Sequence, residues 1–111
     1  MGVFLSFLAS KRRQIGQFQL KGLFHDLEIL FEGQPENKDF VLLQARQNRL
    51  NRQERLGVIR MQDSRLEQNR ILQGLLSLLD QLEMAAKQDE ATMVQLEKQL
   101  EAAIKAKRIR L

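Results

Sequence analysis

Apolar side chains recur along this chain at three- and four-residue steps, the spacing of helices that bury one face. From Val3 to Glu32 two such stripes follow one another. The first is Phe4, Phe7, Leu8, Ile15 and Phe18; the second is Leu20, Leu23, Phe24, Leu27, Leu30 and Phe31, with a phase shift near Gly16 and Gly22. Two short helices, or one bent helix, are expected there. Glu32-Gly33-Gln34-Pro35-Glu36-Asn37 is the clearest break, because Gly33 suits a helix C-terminus and Pro35 cannot continue one, and helix should resume between Glu36 and Asp39.

Beyond the break the pattern changes twice. Residues 40–70 are polar on nearly every side, with apolar positions thinned to Leu43, Leu50, Leu56, Val58, Ile59, Met61 and Leu66. A helix of that kind is stable when it bridges packed ends, pairs with a partner or binds something polar. Residues 72–107 are the best patterned. Leu72, Leu75, Leu79, Leu82, Ala86, Asp89, Met93, Leu96, Leu100, Ala103 and Lys107 alternate steps of three and four, a heptad seam interrupted by polar Asp89.

The fold class expected from these patterns is all-α: an elongated helical hairpin or coiled coil with a Phe-rich amphipathic N-terminal segment. Residues 1–33 form the docking or anchor segment. Residues 36–111 form the long helical region, polar over 40–70 and carrying the seam over 72–107. At 111 residues a lone globule buries little more than half of the surface its unfolded chain exposes, so length alone is compatible with an elongated or oligomeric state.

Composition supports helices and removes most chemistry. Pro occurs once and Tyr, Trp and Cys are absent, so strand-forming material is scarce and disulfides, thiolate metal sites and thiol nucleophiles are excluded. His25 stands beside Asp26 and Glu28, but no second His or suitably spaced carboxylate completes a ligand set, so no metal is expected. The glycines are isolated and none opens a phosphate-binding loop. No enzyme activity and no cofactor are expected. The longest apolar run, Gly2 to Ala9, is too short to cross a bilayer, and its charges follow it where a secretory signal would have them first. The expected location is the cytoplasm, with the inner face of a membrane as an alternative.

The net charge of +4 is local. Residues 41–70 carry seven Arg against three acids, while the segments on either side are each balanced. Arg46, Arg49, Arg52 and Arg55 are the candidate polyanion contacts, although steps of three make them wind around the helix, and no aromatics interleave for stacking. The N-terminus offers a different surface. Met1-Gly2-Val3-Phe4-Leu5-Ser6 fits the pattern for N-myristoylation, and Lys11, Arg12 and Arg13 would supply the electrostatic contact that a single acyl chain needs. Phe4, Phe7, Leu8, Lys11, Arg12, Arg13, Ile15 and Phe18 are thus candidates for docking to a protein or a membrane surface; the competing reading packs the Phe side chains into a helical core. Leu72, Leu75, Leu79, Leu82, Ala86, Met93, Leu96 and Leu100 are the candidate coiled-coil seam.

In general character the chain is similar to small coiled-coil subunits of secretion or motility machines and to viral scaffolding proteins, a likeness of composition that transfers no functional residue. The function expected is a non-catalytic structural or adaptor subunit with protein partners, a homo- or hetero-oligomer that associates through the coiled coil. The alternative is a nucleic-acid-associated factor using the Arg-rich middle and the basic C-terminus.

Overall fold

Five helices carry the chain in the computed structural model, which describes residues 2–109: α1 (Val3–Gly16), α2 (Leu23–Phe31), α3 (Asn37–Leu56), α4 (Met61–Gln88) and α5 (Glu90–Lys105). Their ends fall where local chemistry stops them. Gly22, Gly33 and Gly57 all take positive φ, the left-handed region that glycine enters without steric cost. Gly57 closes α3 with its N–H on Glu54, while the next N–H, of Val58, returns to Gln53. The four residues from Gly57 to Arg60 then turn the chain back, so α3 and α4 form an antiparallel hairpin.

One core gathers all five helices. Phe4, Phe7 and Leu8 of α1, Leu23, Leu27, Leu30 and Phe31 of α2, and Phe40 of α3 are fully buried against Leu75, Leu79 and Leu82 of α4 and Leu96 and Leu100 of α5. Phe31 stacks on Phe40 with ring centroids 5.0 Å apart, and Phe24 lies 6.0 Å from the same ring. Fully burying such a side chain contributes about 1.5–3 kcal/mol, so this core is the main stabilising term. The radius of gyration is 14.8 Å, against about 13 Å for a compact chain of this length.

Two expectations change here. The seam over 72–107 does not run through one helix: α4 ends at Gln88 and α5 begins at Glu90, with Asp89 extended between them. The carboxylate of Asp89 accepts from the Ala91 N–H at 3.1 Å and from the Thr92 hydroxyl at 2.8 Å, capping α5. The polar interruption of the seam is therefore a helix start. The region 36–111 is likewise three helices, because Gly57 and Asp89 each end one.

The Phe-rich segment also folds inward. Of its first stripe, Phe4, Phe7, Leu8 and Ile15 join the core, while Phe18, just past α1 at φ 55°, stays exposed. The first turn of α1 is closed from outside by Glu97 of α5, whose carboxylate accepts the N–H groups of Val3 at 3.2 Å and Phe4 at 2.7 Å. Gln99 of α5 caps the other short helix, donating to the carbonyls of Ile29 and Glu32.

Candidate functional site

The α3–α4 hairpin is where unpartnered apolar surface collects, and its first half holds a groove. Val41, Leu42 and Leu43 follow one another on α3, and a helix can turn only one of three consecutive side chains fully inward. Leu43 is the one buried; Val41 and Leu42 remain 48% and 59% exposed. Leu42, Ala45, Arg46 and Arg49 share one face of α3, and Gly74, Ser77 and Leu78 face them from α4. Together with Asp39 and Leu43 these line an open, largely apolar groove of about 610 Å³.

Small residues shape that groove. Gly74 lies inside α4, where glycine is unfavourable by about 1 kcal/mol relative to alanine. A Cβ on Gly74 would sit 3.0 Å from Leu43 Cδ2, so its missing side chain is what lets Leu43 seat against α4. Leu78, buried, and Leu42, exposed, flank the resulting trough.

The rim is electrostatically asymmetric. Arg46 makes a forked pair with Glu67 of α4, at 3.1 Å through Nε and 2.8 Å through Nη2. Hydrogen bonding from Arg46 holds the Glu67 carboxyl below its ordinary range, and Arg49 and Arg70 add to the effect through their charges. Arg49 is exposed and makes no salt bridge among the described residues.

Below the groove the hairpin is held by polar contacts. Gln47, nearly buried, and Gln68 exchange amide hydrogen bonds of 3.1 and 2.7 Å, and the Ser64 hydroxyl donates to Glu54. Leu50 and Ile71 are buried in this stretch, apart from the main core, which includes no residue between Leu43 and Leu72. The outer part of the hairpin is thus an arm.

The residues singled out by sequence fall in three places. Of the docking stripe, Phe4, Phe7, Leu8 and Ile15 are interior. Lys11 is 2% exposed, with its ammonium 2.6 Å from Asp26, 3.0 Å from Gln14 Oε1 and 5.1 Å from the Phe7 ring centre. Arg12 bridges α1 to α4 through Asp80 at 2.5 Å and Glu83 at 2.7 Å, and Glu83 also receives Lys87. Only Arg13 of the three cations, with Phe18, faces solvent. Met1, where the acylation pattern begins, and Arg110, in the basic C-terminus, lie outside the described residues.

The seam residues Leu72, Leu75, Leu79, Leu82, Ala86, Leu96 and Leu100 are buried, with Met93 packed at the edge, and their neighbours are helices of the same chain. Arg46, Arg49, Arg52 and Arg55 do not line one stripe: Arg46 is tied to Glu67 and the other three are exposed around the arm. His25 lies on the surface with Nε2 3.2 Å from the Arg108 carbonyl, and among the described residues no three His, Asp or Glu side chains converge as metal ligands. No helix among them is long and apolar enough to cross a membrane. The groove residues Leu42, Ala45, Gly74, Ser77 and Leu78 were not among the sequence candidates, although the run Val41-Leu42-Leu43 and the mid-helix Gly74 both signalled them.

Neither the curated proteins nor the solved structures include a match. Residues 6–83, from the first turn of α1 to near the end of α4, match effector-associated domain 11, and α5 lies beyond the matched stretch. That span is well over half of the 111 residues, so the chain belongs to the effector-associated domain 11 family.

Proposed function

We propose that this chain is a non-catalytic adaptor that holds an effector protein in a larger assembly, and that it does so by taking an amphipathic helix of that partner into the α3–α4 groove. The observation that carries the reading is the groove itself: an open, largely apolar trough between two helices, with Leu42 more than half exposed at its edge. A trough between two antiparallel helices accepts a third helix through apolar anchors at three- and four-residue steps. Arg49, exposed at the rim, favours a partner helix with an acidic edge over a basic one.

The family's association with effectors supports a protein partner, and the near absence of side chains that act near neutral pH supports a non-catalytic role. The reading places recognition on α3–α4 and not on the N-terminal stripe or the heptad seam, since both of those are occupied by the chain's own core.

Recovery of the effector from the native source tests it. Wild type and Gln95→Asp, an exposed change on α5, should bring the effector down; Leu42→Asp should lose it while keeping its helical circular dichroism. A folded Leu42→Asp protein that still recovers the effector in full would overturn the reading.

A further inference from the structure

The arm ends in a second surface, separate from the groove. α3 stops at Leu56, the turn runs through Gly57 and Val58, and α4 opens at Met61. Leu56, Val58 and Met61 are 66%, 69% and 71% exposed, and no other described large apolar side chain is more exposed. The turn explains part of this. With Gly57 left-handed and the Val58 N–H returned to Gln53, the residue after the glycine ordinarily packs back onto an apolar side chain of the last helical turn. The positions it would pack on here, Gln53 and Arg52, are both polar, and Val58 stays exposed.

Arginines flank this cap on both helices. Arg55 and Arg60 adjoin it directly in sequence, and Arg52 and Arg65 stand about one helical turn, roughly 5 Å, behind. Against these four cations the tip carries two acids, Glu54, which accepts from Ser64, and Asp63. The arm that bears the tip also holds the whole net positive charge of the chain.

We propose that the tip of the α3–α4 hairpin is a contact for an anionic lipid surface, with Leu56, Val58 and Met61 entering the boundary between headgroups and acyl chains and the arginines lying among the headgroup phosphates. Three observations favour lipid over the other polyanions. The foremost side chains are aliphatic and would gain nothing from a phosphate backbone or a base. No aromatic residue stands among them to stack on a base. Arg52 and Arg65, about one turn behind the apolar cap, stand at the depth at which the charges of an interfacial segment meet the headgroups. Arginine's long stem also lets it keep its charge at the phosphates while its methylenes cover apolar surface.

Flotation of the full chain with vesicles tests this independently of the groove. Wild type should float with vesicles of equal parts phosphatidylcholine and phosphatidylglycerol at low salt, and poorly with phosphatidylcholine alone. Leu56→Asp with Val58→Asp should lower the bound fraction about tenfold, and Arg52, Arg55, Arg60 and Arg65 all changed to Gln should do likewise. Each variant alters exposed side chains, so helical circular dichroism should stay unchanged. Leu42→Asp, which disables the groove, should float as wild type does. Absence of flotation by wild type, or full flotation of the folded Leu56→Asp, Val58→Asp protein, overturns the proposal. So does tight binding of a DNA or RNA oligonucleotide that the apolar pair leaves unaffected, because the arginines would then serve a nucleic acid.

Discussion

The backbone N–H of Phe4 donates to the Glu97 carboxylate at 2.7 Å, so a side chain of α5 closes the first turn of α1. Gly2, at the N-cap of that helix, has no side chain with which to do so. The same carboxylate takes the Val3 N–H at 3.2 Å and fixes α1 to α5 just where Phe4 enters the core. Replacing Glu97 by Ala should therefore destabilise the whole bundle by about 1–2 kcal/mol, the range for losing a helix cap. Thermal unfolding would show it as a lower midpoint in one cooperative transition. Glu97→Gln, which keeps an acceptor oxygen, should cost less.

A second relationship predicts strong non-additivity. Lys11 is 2% exposed and its charge is met by Asp26, so removing one member leaves the other uncompensated. Asp26→Asn alone should destabilise by about 3 kcal/mol, because a buried ammonium without its counter-charge is costly. Lys11→Met should relieve most of that loss when added to Asp26→Asn. Urea unfolding of the four proteins forms a complete cycle, and simple addition of the two single effects would refute the pairing.

The groove depends on Gly74, and its replacement sets two effects against each other. Alanine improves helix propensity by about 1 kcal/mol, while its Cβ would lie 3.0 Å from Leu43. Overpacking commonly costs about 1–3 kcal/mol, so Gly74→Ala should be neutral to destabilising, and Leu43→Val should be better tolerated beside it than alone. Equilibrium unfolding of the single and double variants measures that coupling.

Acid should weaken the fold through two carboxylates. Lys87 first and Arg12 second hold Glu83 below its ordinary value of 4.5, and Arg46 does the same for Glu67. Since the folded pKa is the lower one, the unfolded chain takes up protons first as pH falls. The stabilisation is complete above about pH 4.5 and is lost as pH drops through the folded-state values. The melting temperature should be flat near neutrality and decline below that point. The Glu67→Gln, Glu83→Gln double variant should start lower near neutrality and decline less.

The sequence by itself determined the helical class, the break after the second apolar stripe and the side chains that seek burial. Apolar periodicity measures how a face is divided between core and water, and Phe4, Phe7, Leu79, Leu82 and Leu96, each on such a stripe, are all buried. It also located the excess positive charge between residues 41 and 70 and the break at Gly33 and Pro35. Only the tertiary structure decided what covers each face. A heptad stripe has the same pattern whether a second chain or another part of its own chain lies against it, and here α1, α2 and α3 supply the cover. Asp89 was legible as an interruption, but its use as the cap that separates α4 from α5 depends on backbone geometry that a side-chain pattern does not contain. Lys11, Arg12 and Glu97 read as surface charges because charged residues are usually solvated; their partners Asp26, Asp80 and the Phe4 N–H lie 15, 68 and 93 residues away along the chain, a separation no local spacing rule reaches. The groove and the exposed hairpin tip likewise followed from the folded chain, since an apolar residue left uncovered is defined by where its neighbours end.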